Sequence, residues 1–572
     1  MHTSKCTSTI ETAVYENRTY GGVRGRRLVT ASYSIAAGIL KVGCIIKTFC
    51  GKITKDIKNQ VGNMEKKTLK EYIDLLREKD LLAGIYEGET AIGREEIGYL
   101  SYNSLDIKPQ TLFICRGANF KEEYLSDALE KGAVAYMAER KMKSAPASVP
   151  YILVRDMRRA MSEVSGFFFD HIWNKKLTMI GITGTKGKST TATFVKAIMD
   201  HYCRTHGEKE IGFLSGIYTY DGKEKVKAKK MTTPETLELH RHLFRCVENG
   251  CRYLVMETSS QALKYERTAD LRYKVGGFLN ISEDHISDRE HPDIEDYFTS
   301  KLKLFHQCEI ACVNLETDEK YRDRVLKEAK ACCKQVITFG RTEEADYYGF
   351  DVTSTPSHLK FQVKHAGGTE EIIVSIGGYY NASNALAAIA MTRALGVPFE
   401  DIRAGLANVK VAGRMELYRM NHKHVDVIVD YAHNKLSYQT LFDNVKAMYP
   451  DRKILLVFGC HGNKAYNRRK DLGELANLYA DKIVLTEQDP GTEDVNDICD
   501  QIKAYLDEDK PVITIPDRGE AIEAACEMVE DNWVMIIAGN GADGYQKRGL
   551  QYIELPTDGE RVQAYMDAHG EA

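Results

Sequence analysis

The stretch Leu177-Thr178-Met179-Ile180-Gly181-Ile182-Thr183 runs into Gly184-Thr185-Lys186-Gly187-Lys188-Ser189-Thr190, and this junction constrains the fold more than any other part of the chain. An apolar run of strand length meets a glycine-rich turn. The residues after it, STTATFVKAIMDHYC (189–203), carry a helical pattern. Strand, loop and helix in that order place backbone N–H groups at a helix N-terminus, where an anion is held. Gly184 and Gly187 let the backbone approach phosphates, Lys188 offers a point charge, and Ser189 or Thr190 offers a hydroxyl for Mg²⁺. The strict GxxxxGK[ST] spacing is not met, because Ile182 stands at the first glycine's place. The expectation is an α/β protein that binds ATP or GTP.

At about 100–200 residues per domain, 572 residues make several domains, and 43% apolar content is enough to give each a core. Lys and Arg number 78 against 82 Asp and Glu, so the net charge of -4 excludes a global basic field for nucleic acid. The 14 cysteines include the neighbours Cys332 and Cys333 but no CxxC pair. They suit reduced, buried thiols of a cytoplasmic protein better than a disulfide frame or a zinc site. In residues 1–63, Arg24, Arg26 and Arg27 precede an apolar stretch, Leu28 to Leu40, that Lys41 interrupts. It is too short and too polar for a membrane span, and no membrane role is expected. Helical periodicity begins after Met64, with Leu69, Tyr72, Ile73 and Leu76 on one face. Residues 1–63 therefore read as a leader outside the fold, with Met64 as its start.

Residues 64–173 read as a small α/β unit, with strands at 111–117, 133–139 and 151–156 and a helix at 124–132. Residues 174–410 form the central nucleotide-binding domain. In residues 411–572, apolar runs at 425–430, 453–458, 482–486, 511–515 and 533–538 alternate with helix-patterned segments, which implies a parallel, doubly wound, Rossmann-like sheet. Beside the phosphate loop, Glu257 ends the apolar run of LVMETSSQAL, and Asp284 and His285 follow that of FLNISEDHISD. Such groups at strand ends are partners for Mg²⁺; they equally read as a helix cap and a buried hydrogen-bonder.

The loop form TGTxGK[ST]T, met by Thr183 to Thr190, resembles that of the Mur ligases, ATP-dependent ligases that build the peptidoglycan stem peptide. The resemblance covers roughly residues 64–555 and is greatest to the members that add the third amino acid. It implies a three-domain architecture with a central P-loop ATPase. It further implies that Glu257 and His285 bind metal, and that Lys301, in YFTSKLKLF (297–305), is carbamylated to hold a second magnesium. For ATP it implies Asn280, Asn384, Arg414 (in AGRMELY), Asp430 and His433 (in VDYAHN), besides Gly184 to Thr190. For the UDP-sugar it implies Ser104, Thr232, Thr233, Ser259 and Arg267, with Leu105 where the family has an arginine. For the incoming amino acid it implies Arg469 on the α-carboxylate, with Asp489, Gly491 and Asp543 nearby.

In the diaminopimelate-adding members a DNPR motif puts an arginine on the distal carboxylate. Here Gln488-Asp489-Pro490-Gly491 lacks that bidentate fork. Diaminopimelate is disfavoured; Asp489, Glu493 and Asp494 suit the ammonium of L-lysine, although a solvated acidic turn reads the same way. The expected enzyme joins a free amino acid to UDP-N-acetylmuramoyl-L-alanyl-D-glutamate through an acyl phosphate, as a monomer. The alternatives are a paralogue using another carboxylate acceptor and a nucleotide-binding scaffold without turnover.

Overall fold

Three series of apolar strands make three main sheets in a computed structural model, which describes residues 66–85, 95–117, 120–228, 231–283, 286–287 and 290–570. The leader, the expected start at Met64, and Asp284 and His285 lie outside the described residues. Among the described residues no helix is long and apolar enough to cross a membrane, and every cysteine is a free thiol.

The first sheet orders its strands Leu82–Ile85, Tyr151–Val154, Ala133–Ala138, Thr111–Ile114 and Tyr99–Ser101, with only the first antiparallel to its neighbour. Helix Leu69–Glu78 buries the face expected from its periodicity, Leu69, Tyr72, Ile73 and Leu76. Polar ties join this sheet's ends to the central region. Arg116 pairs with Glu235, and Arg241 Nη2 donates to the Leu100 carbonyl at 2.8 Å. The buried Asp270 lies 2.5 Å from His240 Nε2 and accepts from Ser162 Oγ at 3.1 Å. Burial alone would raise the Asp270 carboxyl, but the His240 and His171 imidazoles hold it well below the ordinary range.

The second sheet has eleven strands, parallel in the middle and extended by antiparallel strands at both ends. Thr178–Thr183, the strand before the phosphate loop, lies between Tyr253–Glu257 and Tyr273–Phe278. Glu257 is level with Ile182, and Phe278 with Thr183. The three strands therefore deliver their following residues to one sheet edge, the place where α/β sheets bind ligands. Helix Lys188–Thr205 packs back on the sheet through Thr191, Phe194, Val195, Ile198 and Met199, a 3–4 spacing in which each large apolar side chain contributes about 1.5–3 kcal/mol.

The third sheet runs Glu416–Met420, Val425–Asp430, Val534–Ala538, Ile454–Phe458, Lys482–Leu485 and Val512–Thr514, parallel except for the first strand. The five expected apolar runs are all strands. The last of them inserts between the first two, which creates a switch point where loops diverge. One buried apolar cluster continues from the central sheet into this one.

Candidate functional site

A cavity of about 740 Å³ opens between the carboxyl ends of the second and third sheets. Its one end is the phosphate loop. Thr185, Lys186, Gly187, Lys188, Ser189 and Thr190 line it together with Glu257, Asn280 and Asn384. Gly187 holds φ +84°, a left-handed conformation, and a Cβ there would meet Asn384 Oδ1 at 2.3 Å. Lys188 Nζ donates to the carbonyls of Gly184 (2.9 Å) and Thr185 (3.0 Å). Asn280 acts on the loop itself: its Oδ1 accepts from the backbone N–H of Thr185 (3.0 Å) and of Lys186 (2.9 Å), while Nδ2 donates to the Lys186 carbonyl. That grip presets the loop before phosphate arrives.

Glu257 is buried, and its Oε1 accepts from the Gly216 N–H at 2.8 Å. Burial raises its carboxyl above the ordinary range, and the Lys188 charge opposes the rise. Glu257 with the Ser189 hydroxyl makes an oxygen donor set, which fits a hard divalent cation. Lys301 is buried at 1% exposure and donates to the same Gly184 carbonyl as Lys188, at 2.9 Å, with its ammonium 4.2 Å from the Tyr297 ring centre. A carbamate at this position keeps an N–H for that carbonyl and adds two oxygens, so the residue fits the modification. His291 and Asp296 hold this helix in place: His291 is fully buried between Asp296 (2.6 Å) and Ser260 Oγ (3.0 Å). The sequence reading missed that relay, whose signal was a histidine just before the helix cap Asp293.

The third sheet supplies the opposite wall. Arg414, Asp430, Tyr431, His433, His461, Lys464, Asp489 and Asp543 all line the cavity, most of them just beyond strand ends. Arg414 stacks over Tyr431, 4.2 Å from the ring centre. Asp430 accepts from the N–H groups of Met415 and Ala432, both at 2.8 Å, so it also holds the local backbone. His433 Nδ1 lies 2.8 Å from the Tyr431 carbonyl.

On this wall Asp489 and Asp543 share the cavity with His461 and Lys464. Enclosure by protein raises the Asp543 carboxyl to about 7, with the negative charges of Asp489 and Asp558 adding to the rise and Arg414 opposing it. Its side chain still faces the water of the cavity, which screens the charge, so the shift bears on ligand binding more than on stability. Burial pushes His461 far down and keeps it neutral, and burial also lowers Lys464.

Other residues expected here sit elsewhere. Arg469 is buried against Glu493 (2.8 Å) and Gln501 and does not line the cavity; the cation that does is Lys464, five residues earlier in the same post-strand segment. Asp494 caps helix Val495–Lys503. Gly491 holds φ +60°, and a Cβ would meet Asn463 Oδ1 at 2.2 Å, so glycine there has a backbone reason as well as leaving no guanidinium. On the acceptor side, Thr233 donates to the Glu257 carbonyl (2.9 Å), accepts from the Ser259 N–H (3.0 Å), and adjoins Thr232 on the cavity wall. Arg267 reaches the Thr233 carbonyl and Glu235. Ser104 is buried at the end of the first sheet and does not line the cavity, while Leu105 is exposed.

A phosphate loop and a Rossmann-like sheet facing each other across one cavity define a nucleotide-binding α/β protein with room for a second ligand. Residues 182–392 match the Mur ligase middle domain, and residues 413–541 match the Mur ligase glutamate ligase domain. The UDP-N-acetylmuramoyl-L-alanyl-D-glutamate--L-lysine ligase of Enterococcus faecalis is 38% identical over 505 residues, 85% of this chain and 96% of that one. The UDP-N-acetylmuramyl-tripeptide synthetase of Bifidobacterium longum is 36% identical over 518 residues, 86% of this chain and 98% of that one. The chain belongs to the Mur ligase family. Its fold is similar to that of a solved UDP-N-acetylmuramoyl-L-alanyl-D-glutamate--2,6-diaminopimelate ligase, with a TM-score of 0.61 over 89% of this chain and all of that one, at 22% identity.

Proposed function

We propose that this chain is an ATP-dependent ligase that adds L-lysine to UDP-N-acetylmuramoyl-L-alanyl-D-glutamate in peptidoglycan synthesis, acting as a monomer with domains at 64–173, 174–410 and 411–572. The observation that carries the lysine assignment is the pair Asp489 and Asp543, which line the same cavity as the phosphate loop from the third sheet. Two carboxylates, one of them easily protonated, make a receptor for a side-chain ammonium and repel a second carboxylate. The relative in Enterococcus faecalis carries this activity in its name.

The acceptor carboxylate attacks the γ-phosphorus of ATP, giving an acyl phosphate and ADP. The α-amine of lysine then attacks the acyl carbon, and phosphate leaves from the tetrahedral intermediate. Lys188 spreads the charge of the transferred phosphoryl group, and Asn280 keeps the loop N–H groups aimed at it. Arg414 and His433 bring charge and hydrogen bonds from the third sheet, and closure of that wall excludes water from the acyl phosphate. Lys464 takes the amino acid's α-carboxylate. Thr232, Thr233, Ser259 and Arg267 face the acceptor. Glu257, Ser189, carbamylated Lys301 and His285 would hold Mg²⁺, which supplies Lewis-acid polarisation of the phosphate oxygens.

Phosphate release with ATP, the muramoyl dipeptide and each amino acid tests the reading. Lysine should be used about 10²-fold better in kcat/KM than meso-diaminopimelate, since an unpaired distal carboxylate is strongly disfavoured in a closed site. Equal use of both overturns the lysine assignment, and turnover only with another carboxylate overturns the acceptor.

A further inference from the structure

Away from the cavity, His306, Glu328 and Cys332 bring a nitrogen, an oxygen and a sulfur ligand atom within 4.8 Å of one another. None of the three lines the cavity. Glu328 and Cys332 stand one turn apart on helix Glu319–Cys332, and His306 comes from the 3-10 turn Lys303–Gln307 packed beside it. His306 Nε2 lies 2.9 Å from Glu328 Oε1 and 3.8 Å from Cys332 Sγ, and Sγ lies 3.6 Å from the same Oε1. Zinc bonds of about 2.0–2.3 Å in a tetrahedron set ligand atoms roughly 3.3–3.7 Å apart; the Sγ–Oε1 edge lies in that range and the Nε2–Sγ edge just beyond it, while His306 and Glu328 must part slightly from their ion-pair distance to admit an ion.

An ion pair between His306 and Glu328 makes one edge of that triangle, and the Cys332 thiol makes the other two, 3.6 Å from Glu328 Oε1 and 3.5 Å and 3.8 Å from His306 Nδ1 and Nε2. The thiol is turned toward both partners, whereas the next residue points its sulfur elsewhere, with Cys333 Sγ donating to the Phe305 carbonyl at 3.4 Å. His306 is 60% exposed, which leaves the open side of the triangle accessible to a cation and to water.

We propose that His306, Glu328 and Cys332 form a site for a thiophilic divalent cation of the zinc class, with water as the fourth ligand. The sequence expectation of no zinc site rested on the lack of a CxxC pair; here the ligands come from two segments that only the fold brings together. Binding replaces the thiol proton and any imidazole proton, which pass to solvent, and leaves a thiolate, a carboxylate and a neutral imidazole on the ion. A thiolate ligand selects against Mg²⁺, so this chemistry is separate from that of the nucleotide site. The ion would staple the turn Lys303–Gln307, which continues directly from the helix carrying Lys301, onto helix Glu319–Cys332.

Cobalt(II) titrated into the reduced, chelator-treated full chain reads the site directly through thiolate-to-cobalt charge-transfer absorption. Cobalt bound at Glu257 gives no such band, because among the described residues no cysteine lines the cavity. One equivalent should develop the band, and zinc should bleach it. Cys332→Ser should abolish it and Cys333→Ser should keep it. His306→Ala should weaken cobalt binding by about tenfold or more, given that loss of even an outer-shell partner costs about 10–100-fold. Absence of the band from the unmodified protein, or its persistence in Cys332→Ser, overturns the proposal.

Discussion

The two ends of the cavity are built in different ways. The phosphate end is largely backbone: one short segment supplies loop, glycine and lysine, and Asn280 holds it by hydrogen bonds to main-chain groups. The part proposed to take the amino acid is built from side chains. Lys464, Asp489 and Asp543 each follow a different strand of the third sheet and meet only because those strands lie side by side. A backbone site is intolerant of change and generic to phosphate, whereas a side-chain site is open to change and sets the choice of substrate.

The largest effect should come from the phosphate end. Lys188→Ala should lower turnover by about 10²-fold or more, by removing charge stabilisation of the transferred group, while lysine binding measured by calorimetry stays near that of the unmodified enzyme. Normal phosphate release by this variant would dissolve the distinction between the two ends.

Lys464→Ala should do the reverse. Loss of a charged hydrogen bond of about 1.5–3 kcal/mol corresponds to a rise of about 10–100-fold in KM for the amino acid, with KM for ATP unchanged. An Arg469 variant that raises that KM just as much, at unaltered melting temperature, would move the carboxylate contact to Arg469.

The smallest effect is a pH dependence. Asp543 titrates at about 7, above its ordinary value, so it is neutral below that pH and ionised above it. An ammonium prefers the ionised form, so KM for lysine should fall as pH rises through 7, by up to about tenfold per unit below it. Asp543→Asn should flatten the profile at a uniformly higher KM. A slope that survives in this variant would assign the titration to another group in the cavity.

How much could be read beforehand follows the same division. Wherever a strand was an unbroken apolar run, as at Thr178–Thr183 or Ile454–Phe458, its place was legible, because burial on both faces leaves no other composition. The antiparallel extension passed unread although Leu359, Phe361 and Val363 alternate with outward residues and Ala366-Gly367 makes a two-residue turn, the pattern of a half-exposed hairpin. The phosphate loop was legible because its groups are contiguous. At the other end Asp489 and Asp543 were expected, but Arg469 was chosen where the fold turns Lys464 into the cavity and gives Arg469 to Glu493.

By itself, then, the order of residues determined the strand–loop–helix unit, the alternation of the third sheet and the chemistry available after each strand, since these depend on neighbours along the chain. Only the tertiary structure decided which cation of that segment lines the cavity, that Asp489 and Asp543 share it, and that His291 joins Ser260 to Asp296 near Lys301. Those choices depend on strand order and side-chain direction, which couple residues far apart in sequence and leave no local pattern to read.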